Sequence, residues 1–176
     1  RLMERLNLEG ANAAPRVMRP KHLGLDDLGE SGADHLVDVR EPLAYAAGHM
    51  QGAVCLPVGM IPAFAGWFIS EGDTIALIAS EEDELAQAMA HLVRIGLDNI
   101  VGGYVGVIPA AAQGKAMQSI AMIDTEEVAR RLAEDSEDWT LLDVRALDER
   151  QQGSIDGSEH VYVGELNTRW KELDRD

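Results

Sequence analysis

Cysteine is almost missing from this sequence: Cys55 stands alone. A single thiol excludes an intramolecular disulfide and any zinc cluster built from several cysteines. Basic residues are scarce as well, 15 lysines and arginines against 31 aspartates and glutamates, for a formal net charge of −16. That balance argues against nucleic acid and anionic membranes as partners, because both are bound through basic surfaces. No apolar run has membrane-spanning length and no signal peptide is present, so a cytoplasmic location is expected. The five histidines are scattered, without the close pairing of a helical metal site. No metal and no cofactor are expected within these residues.

What the sequence does contain is enough apolar material for a core, 46% hydrophobic residues over 176. The clearest local pattern is Thr74 to Gly96. Ile75 to Ala79 is a short unbroken apolar run, as in a parallel strand buried on both faces. Leu85, Ala88, Met89, Leu92 and Ile95 then follow one helix face, with Gly96 as the stop. Between strand and helix lies Ser80, Glu81, Glu82, Asp83, Glu84. In open α/β sheets such a loop is a favoured anion site, yet its four carboxylates repel anions.

Other elements read as strands over His35 to Val39, Ala53 to Leu56 and Asn99 to Val101, the last running into a Gly-rich turn at Gly102 and Gly103. Short helices are expected from Leu25 and over Glu41 to Ala47. A longer helix is expected over Met60 to Ile69, with Pro62 in its first turn and Trp67 and Phe68 facing the core. Gly48 to Gly52 reads as a tight loop. Alternating strands and helices predict an α/β fold, a mainly parallel sheet flanked by helices on both faces.

An internal repeat is the most informative feature. An offset of 105 carries Leu36 onto Leu141, Asp38 onto Asp143, Val39 onto Val144 and Arg40 onto Arg145, and continues through Gly48 on Gly153, Gly52 on Gly157, Val58 on Val163 and Gly59 on Gly164. A spacing of this size is a duplicated domain. The expected organisation is a linker over 1–20, a complete domain over 21–106, a connector over 107–121 and the opening of a second copy over 122–176. That copy starts with a helix over Thr125 to Leu132, capped by Thr125. The arginine at position 1 and the Pro-punctuated lead are read as signs that the chain is a piece of something longer.

The strand end DVRE at 38–41, the turn and strand GHMQGAVCLPVG at 48–59, and the helix end LVRIGLDNIVGG resemble the rhodanese-like sulfurtransferase domain. DVRALDERQQGSIDGSEHVYVGEL at 143–166 resembles the opening of a second such domain, with Ser154 where the first has His49. The lead LNLEGANAAPRVMRP resembles the junction between an iron-dependent metallo-β-lactamase-fold persulfide dioxygenase and tandem rhodanese domains. On that resemblance any iron belongs to a domain before residue 1. An active member carries sulfane sulfur as a persulfide on a cysteine at the strand end, stabilised by loop amides, a helix amino end and a basic residue.

Counted back from Gly96, the cysteine position falls on Ala79 and the loop arginine near Glu84. The resemblance therefore implies a first domain without catalytic residues, its active-site loop degenerate at Ala79, Ser80, Glu81, Glu82, Asp83 and Glu84. Asp38, Arg40, His49 and Gly52, with Asp143, Arg145 and Gly157, are read as architectural. Cys55, inside a short apolar strand, is read as an inert thiol. Ser80 is the expected helix cap, with Asp83 in the capping-box position; docking of a basic partner by the loop is the alternative. Trp67, Trp139 and Trp170 are read as core or interface residues.

Three functions remain open on this reading. The first is a scaffolding or regulatory role beside a persulfide dioxygenase. The second is membership of a working sulfurtransferase whose cysteine, by the same offset from Ala79, falls at position 184. The third is a free-standing module that binds a partner through the acidic loop. Expected partners are neighbouring domains of the same protein, with sulfane-sulfur small molecules or a second copy of the chain compatible with the sequence.

Overall fold

A computed structural model describes residues 21–106, 117–134 and 139–173. The chain divides into two compact units, with the boundary between Ala121 and Met122. The expected linker over 1–20 and most of the expected connector lie outside the described residues.

The first helix of the described residues is α1 (Leu25–Glu30), where the Asp27 carboxylate accepts from the Gly24 N–H at 3.0 Å. β1 (His35–Asp38), α2 (Pro42–Ala47), β2 (His49–Met50) and β3 (Ala53–Cys55) follow. α3 (Ile61–Phe64), flanked by 3-10 turns, leads to β4 (Ile75–Ala79), α4 (Glu82–Arg94), β5 (Ile100–Val105) and β6 (Met117–Gln118). β3, β1, β4 and β5 form one parallel sheet in that order. This is the expected α/β architecture.

β4 lies at the centre because every one of its residues can be buried. Ile75, Leu77 and Ala79 join Val37, Val39, Leu85 and Leu92 in one core cluster. Ala76 and Ile78 join Leu28, Met50 and Ala53 in another. Successive side chains of a strand point to opposite faces, so an unbroken apolar run serves both clusters at once. Helix α4 buries Leu85, Ala88, Met89 and Leu92, the stripe its spacing predicts, and Gly96 follows with φ +83.

Four local expectations are corrected. Gly102 and Gly103 lie inside β5 rather than in a turn. A Cβ at Gly103 would stand 2.5 Å from Leu85 Cδ1, and one at Gly102 would stand 2.6 Å from the Lys21 carbonyl oxygen. These glycines admit a helix side chain and a neighbouring backbone at close range. The Gly48 to Gly52 loop contains β2, which pairs antiparallel with Met117–Gln118 of the expected connector. Met60 to Ile69 is one short α-helix between 3-10 turns, and Trp67 is exposed with its ring edge-on to Phe64.

The fourth correction lies in the second unit. Its first helix, α5 (Thr125–Ala133), is capped by Asp124, whose carboxylate accepts from the Glu127 N–H at 2.8 Å, rather than by Thr125. β7 (Leu142–Asp143), α6 (Leu147–Gln151), β8 (Glu159–His160) and α7 (Leu166–Arg169) complete the unit. β7 and β8 pair in parallel, Leu142 with Glu159 and Asp143 with His160. Val37 with Val54 and Asp38 with Cys55 is the same register 105 residues earlier.

Candidate functional site

The carboxyl ends of β1, β3 and β4 bring the sequence-selected residues of the first unit to one end of the sheet. At β4, Ala79 is fully buried and its carbonyl accepts from the Gly106 N–H at 2.9 Å. No side chain at this position can act as a nucleophile. The chain stays extended through Glu81, at φ −138 and ψ 159, so the helix starts one residue later than expected and Ser80 is not its cap. Glu84, rather than Asp83, reaches back, and its carboxylate accepts from the Ser80 N–H at 2.5 Å. The acidic first turn of α4 suits the positive end of the helix dipole. A loop amide that could face an external anion is thus taken by an internal carboxylate.

At β1, Arg40 grips Asp38 through Nε to Oδ1 at 2.8 Å and Nη2 to Oδ2 at 2.6 Å. Both residues are buried. Nη2 also donates to the Gly48 carbonyl at 2.9 Å, which ties the strand end to the turn after α2. The Asp38 hydrogen bonds hold the Arg40 guanidinium above its ordinary pKa, against the opposing effect of burial, and the Glu84 charge adds a smaller push. Arg40 is committed to this internal network.

His49 is buried, with Nδ1–H donating to the Tyr45 carbonyl at 2.9 Å and its ring stacked on Tyr45 at 3.8 Å between centroids. The Tyr45 hydroxyl donates to the Ala53 carbonyl at 2.7 Å, closing a turn in which Gly52 takes φ +82. Cys55 is half-buried on the edge strand opposite Asp38. Burial pushes its thiol pKa up, the Asp38 charge adds to that, and Arg40 opposes it. A protonated thiol at this place is a weak nucleophile.

In the second unit, Asp143 and Arg145 repeat the grip, with Nε to Oδ1 at 3.0 Å, Nη2 to Oδ2 at 2.7 Å and Nη2 to the Gly153 carbonyl at 2.9 Å. Arg145, with Arg150 contributing less, holds the Asp143 carboxyl well below the usual carboxylate range. Arg150 stands where the first unit has Tyr45, and its guanidinium donates to the Ser158 carbonyl at 3.0 Å as the tyrosine hydroxyl does to Ala53. Ser154 is exposed, and Gly157 takes φ +81 in the same turn as Gly52.

Sequence reasoning missed Glu84 as the loop's internal ligand and the Tyr45–His49 stack. The first could have been found from the reach of a glutamate three residues into a helix, the second from the four-residue spacing across α2. Among the described residues no group of three or more His, Cys, Asp or Glu is placed to hold a metal ion, and no helix is long and apolar enough to cross a membrane.

Residues 24–109 match the family model of the rhodanese-like domain. Among solved structures, the chain is similar to the Alr3790 protein from Anabaena sp., at 22% identity over 61% of this chain and 95% of that one, with a TM-score of 0.47. It is similar to a rhodanese with anions from E. coli at 22% identity, over 48% and 96% of the two chains, with a TM-score of 0.39. A persulfide form of an EanB variant with ergothioneine is matched at 19% identity, over 81% of this chain and 41% of that one, with a TM-score of 0.47. No curated protein matches.

Proposed function

We propose that the rhodanese-like domain formed by residues 24–109, a fold of the sulfurtransferase superfamily, does not itself carry sulfur and serves as a scaffolding or regulatory module in a larger sulfur-metabolism protein. The observation that carries this reading is the end of β4. Ala79 has no sulfur to load, and the adjoining Ser80 amide is held by the Glu84 carboxylate. Glu81, Glu82 and Asp83 are exposed around it, a surface for a basic partner and a repellent one for thiosulfate or a persulfide. The resemblance of the lead segment to a dioxygenase–rhodanese junction supports a metallo-β-lactamase-fold persulfide dioxygenase as the neighbour.

Thiosulfate-to-cyanide sulfur transfer tests the reading. The expected rate is that of buffer, with or without Cys55→Ser. A rate well above buffer that disappears in Cys55→Ser overturns it. For the regulatory form, charge reversal at Glu81, Glu82 and Glu84 is expected to abolish partner binding.

A second reading rests on a separate observation, the matching register and Asp–Arg–Gly hydrogen bonds of the two units at an offset of 105. In this reading the second unit opens another rhodanese-like domain, and the intact protein is a working sulfurtransferase with its cysteine at position 184. The residue encoded there decides: a cysteine followed by a basic loop supports it, and an alanine or an acidic run makes both copies structural.

A further inference from the structure

Residues 117–120 form a strap across the turn after α2. β6 pairs antiparallel with β2, His49 opposite Gln118 and Met50 opposite Met117, and the Ile120 N–H donates to the Ala46 carbonyl at 2.9 Å. Met117 packs against the core cluster that contains Met50 and Ala53. Its Cε methyl lies 3.9 Å from where a Cβ on Gly48 would stand, over the residue whose carbonyl accepts from Arg40 Nη2. The strap thus covers the turn to which the buried Asp38–Arg40 pair is tied.

Little else holds the strap in place. Gln118, Ser119 and Ile120 are exposed, so Met117 is the residue by which it reaches the core. A two-residue strand offers few backbone bonds, and a segment with few buried contacts opens locally at low cost.

The chemistry of that one side chain is therefore decisive. A thioether packs as an apolar group, and two-electron oxidation turns it into a polar sulfoxide that disrupts a core. The other described methionines fall into two groups. Met50 and Met89 are 7% and 5% exposed, closed to an oxidant, whereas Met60 and Met122 are 45% and 68% exposed, so a sulfoxide there stays in water. Met117 combines the two conditions, being half-buried and packed on the core.

We infer that Met117 is a peroxide-sensitive latch for this strap. The sulfur lone pair attacks the outer oxygen of a hydroperoxide and forms the S–O bond. The O–O bond breaks, and the departing oxygen takes up the proton and leaves as water or an alcohol. The sulfoxide draws water, the strap lifts from β2, and the β2 edge with His49 and Met50 opens beside Gly48. Two thiols of a sulfoxide reductase return the thioether, leaving as a disulfide with release of water, and the latch closes. Nothing in this latch requires sulfur transfer by either unit.

The test treats the 176-residue chain with hydrogen peroxide, maps the sulfoxides by mass spectrometry and follows amide hydrogen exchange at Ile120. Met117 is expected to oxidise before Met50 and Met89, and Ile120 to exchange about tenfold or more faster once it has done so. The Val39 N–H, bonded to the Ile78 carbonyl at 2.8 Å, is the reference that stays slow. Met117→Leu keeps the volume but takes no oxygen, so Ile120 should remain slow in peroxide although Cys55 is still present. Met117→Gln should be fast without peroxide. Unchanged exchange at Ile120 with Met117 fully oxidised overturns the latch, as does Met117 oxidising no sooner than Met89. An acceleration that persists in Met117→Leu, or that Val39 shares, overturns it equally.

Discussion

Asp38 and Arg40, two residues apart at the end of β1, hold each other through paired hydrogen bonds of 2.8 and 2.6 Å with both side chains almost wholly buried. Removing one partner strands the other charge in the core, at a cost of about 3 to 5 kcal/mol. Asp38→Ala is therefore expected to lower the urea midpoint of the first unit sharply. Asp143→Ala removes the matching carboxylate beside Arg145 and Arg150, whose side chains are 45% and 23% exposed, against 5% for Arg40. Solvent can take over those charges, so the shift for the second unit should be clearly smaller. Equal shifts would mean that burial does not set the value of these pairs.

Gly103 owes its place to Leu85. The Leu85 Cδ1 atom would stand 2.5 Å from a Cβ at residue 103, and Leu85 is itself fully buried. Gly103→Ala is expected to destabilise by about 1 to 3 kcal/mol through overpacking. Combined with Leu85→Ala, it should cost less than the sum of the two single changes, because the atom it strikes is gone. Additive costs in equilibrium unfolding would show that the strain lies in the β5 backbone instead.

How much could be read from the sequence depends on the range of the interactions involved. β4 and α4 were legible because their signals are local: an apolar run for a strand buried on two faces, and a 3.6-residue stripe for a helix. The fold class followed from the alternation of such elements. Gly102 and Gly103 read as a turn because the reason for them, Leu85 and the Lys21 carbonyl, lies far away in the chain. β2 and β6 were invisible for the same reason, being two residues each with only a distant partner. At the candidate site, the alanine at the end of β4 was legible because residue 79 closes the apolar run. The identity of the group on the Ser80 amide depended on whether the helix began at Glu81 or Glu82, and the reach of Glu84 settles it.

A pH dependence follows from the opposite end of the sheet. Thr74 donates its hydroxyl to Asp34 at 2.6 Å and its N–H at 2.8 Å, and these bonds hold the Asp34 carboxyl below its ordinary pKa. Asp73 is held down by the Ser70 N–H at 2.7 Å, with His35 contributing next. A folded pKa below the unfolded one stabilises the fold above the unfolded carboxylate range. That contribution is lost as pH falls through the folded values. Thermal stability of the first unit should therefore decline as pH falls below the ordinary aspartate value of about 3.9. The decline should be shallower in Asp34→Asn and Asp73→Asn, and an unchanged slope in both would assign it to other carboxylates.

Placing a thiol at the end of β4 is expected not to produce sulfur transfer, because a persulfide needs an anion-stabilising loop as well as a thiol. In Cys55→Ala/Ala79→Cys the new thiol would lie at the end of β4, next to a Ser80 amide already bonded to Glu84 and close to an acidic helix start. Nearby carboxylates disfavour the thiolate. Its absorbance should titrate with a midpoint above the usual value of about 8.5. Adding Glu84→Gln removes one negative charge from the loop and replaces the carboxylate hold on the Ser80 N–H with a weaker amide one. The midpoint should then fall by on the order of one pH unit. Cyanide-dependent sulfur transfer should stay at the buffer rate in the first variant and rise, if at all, only in the second. A low thiol midpoint in the variant that keeps Glu84 would show that the acidic loop does not determine the electrostatics of this position.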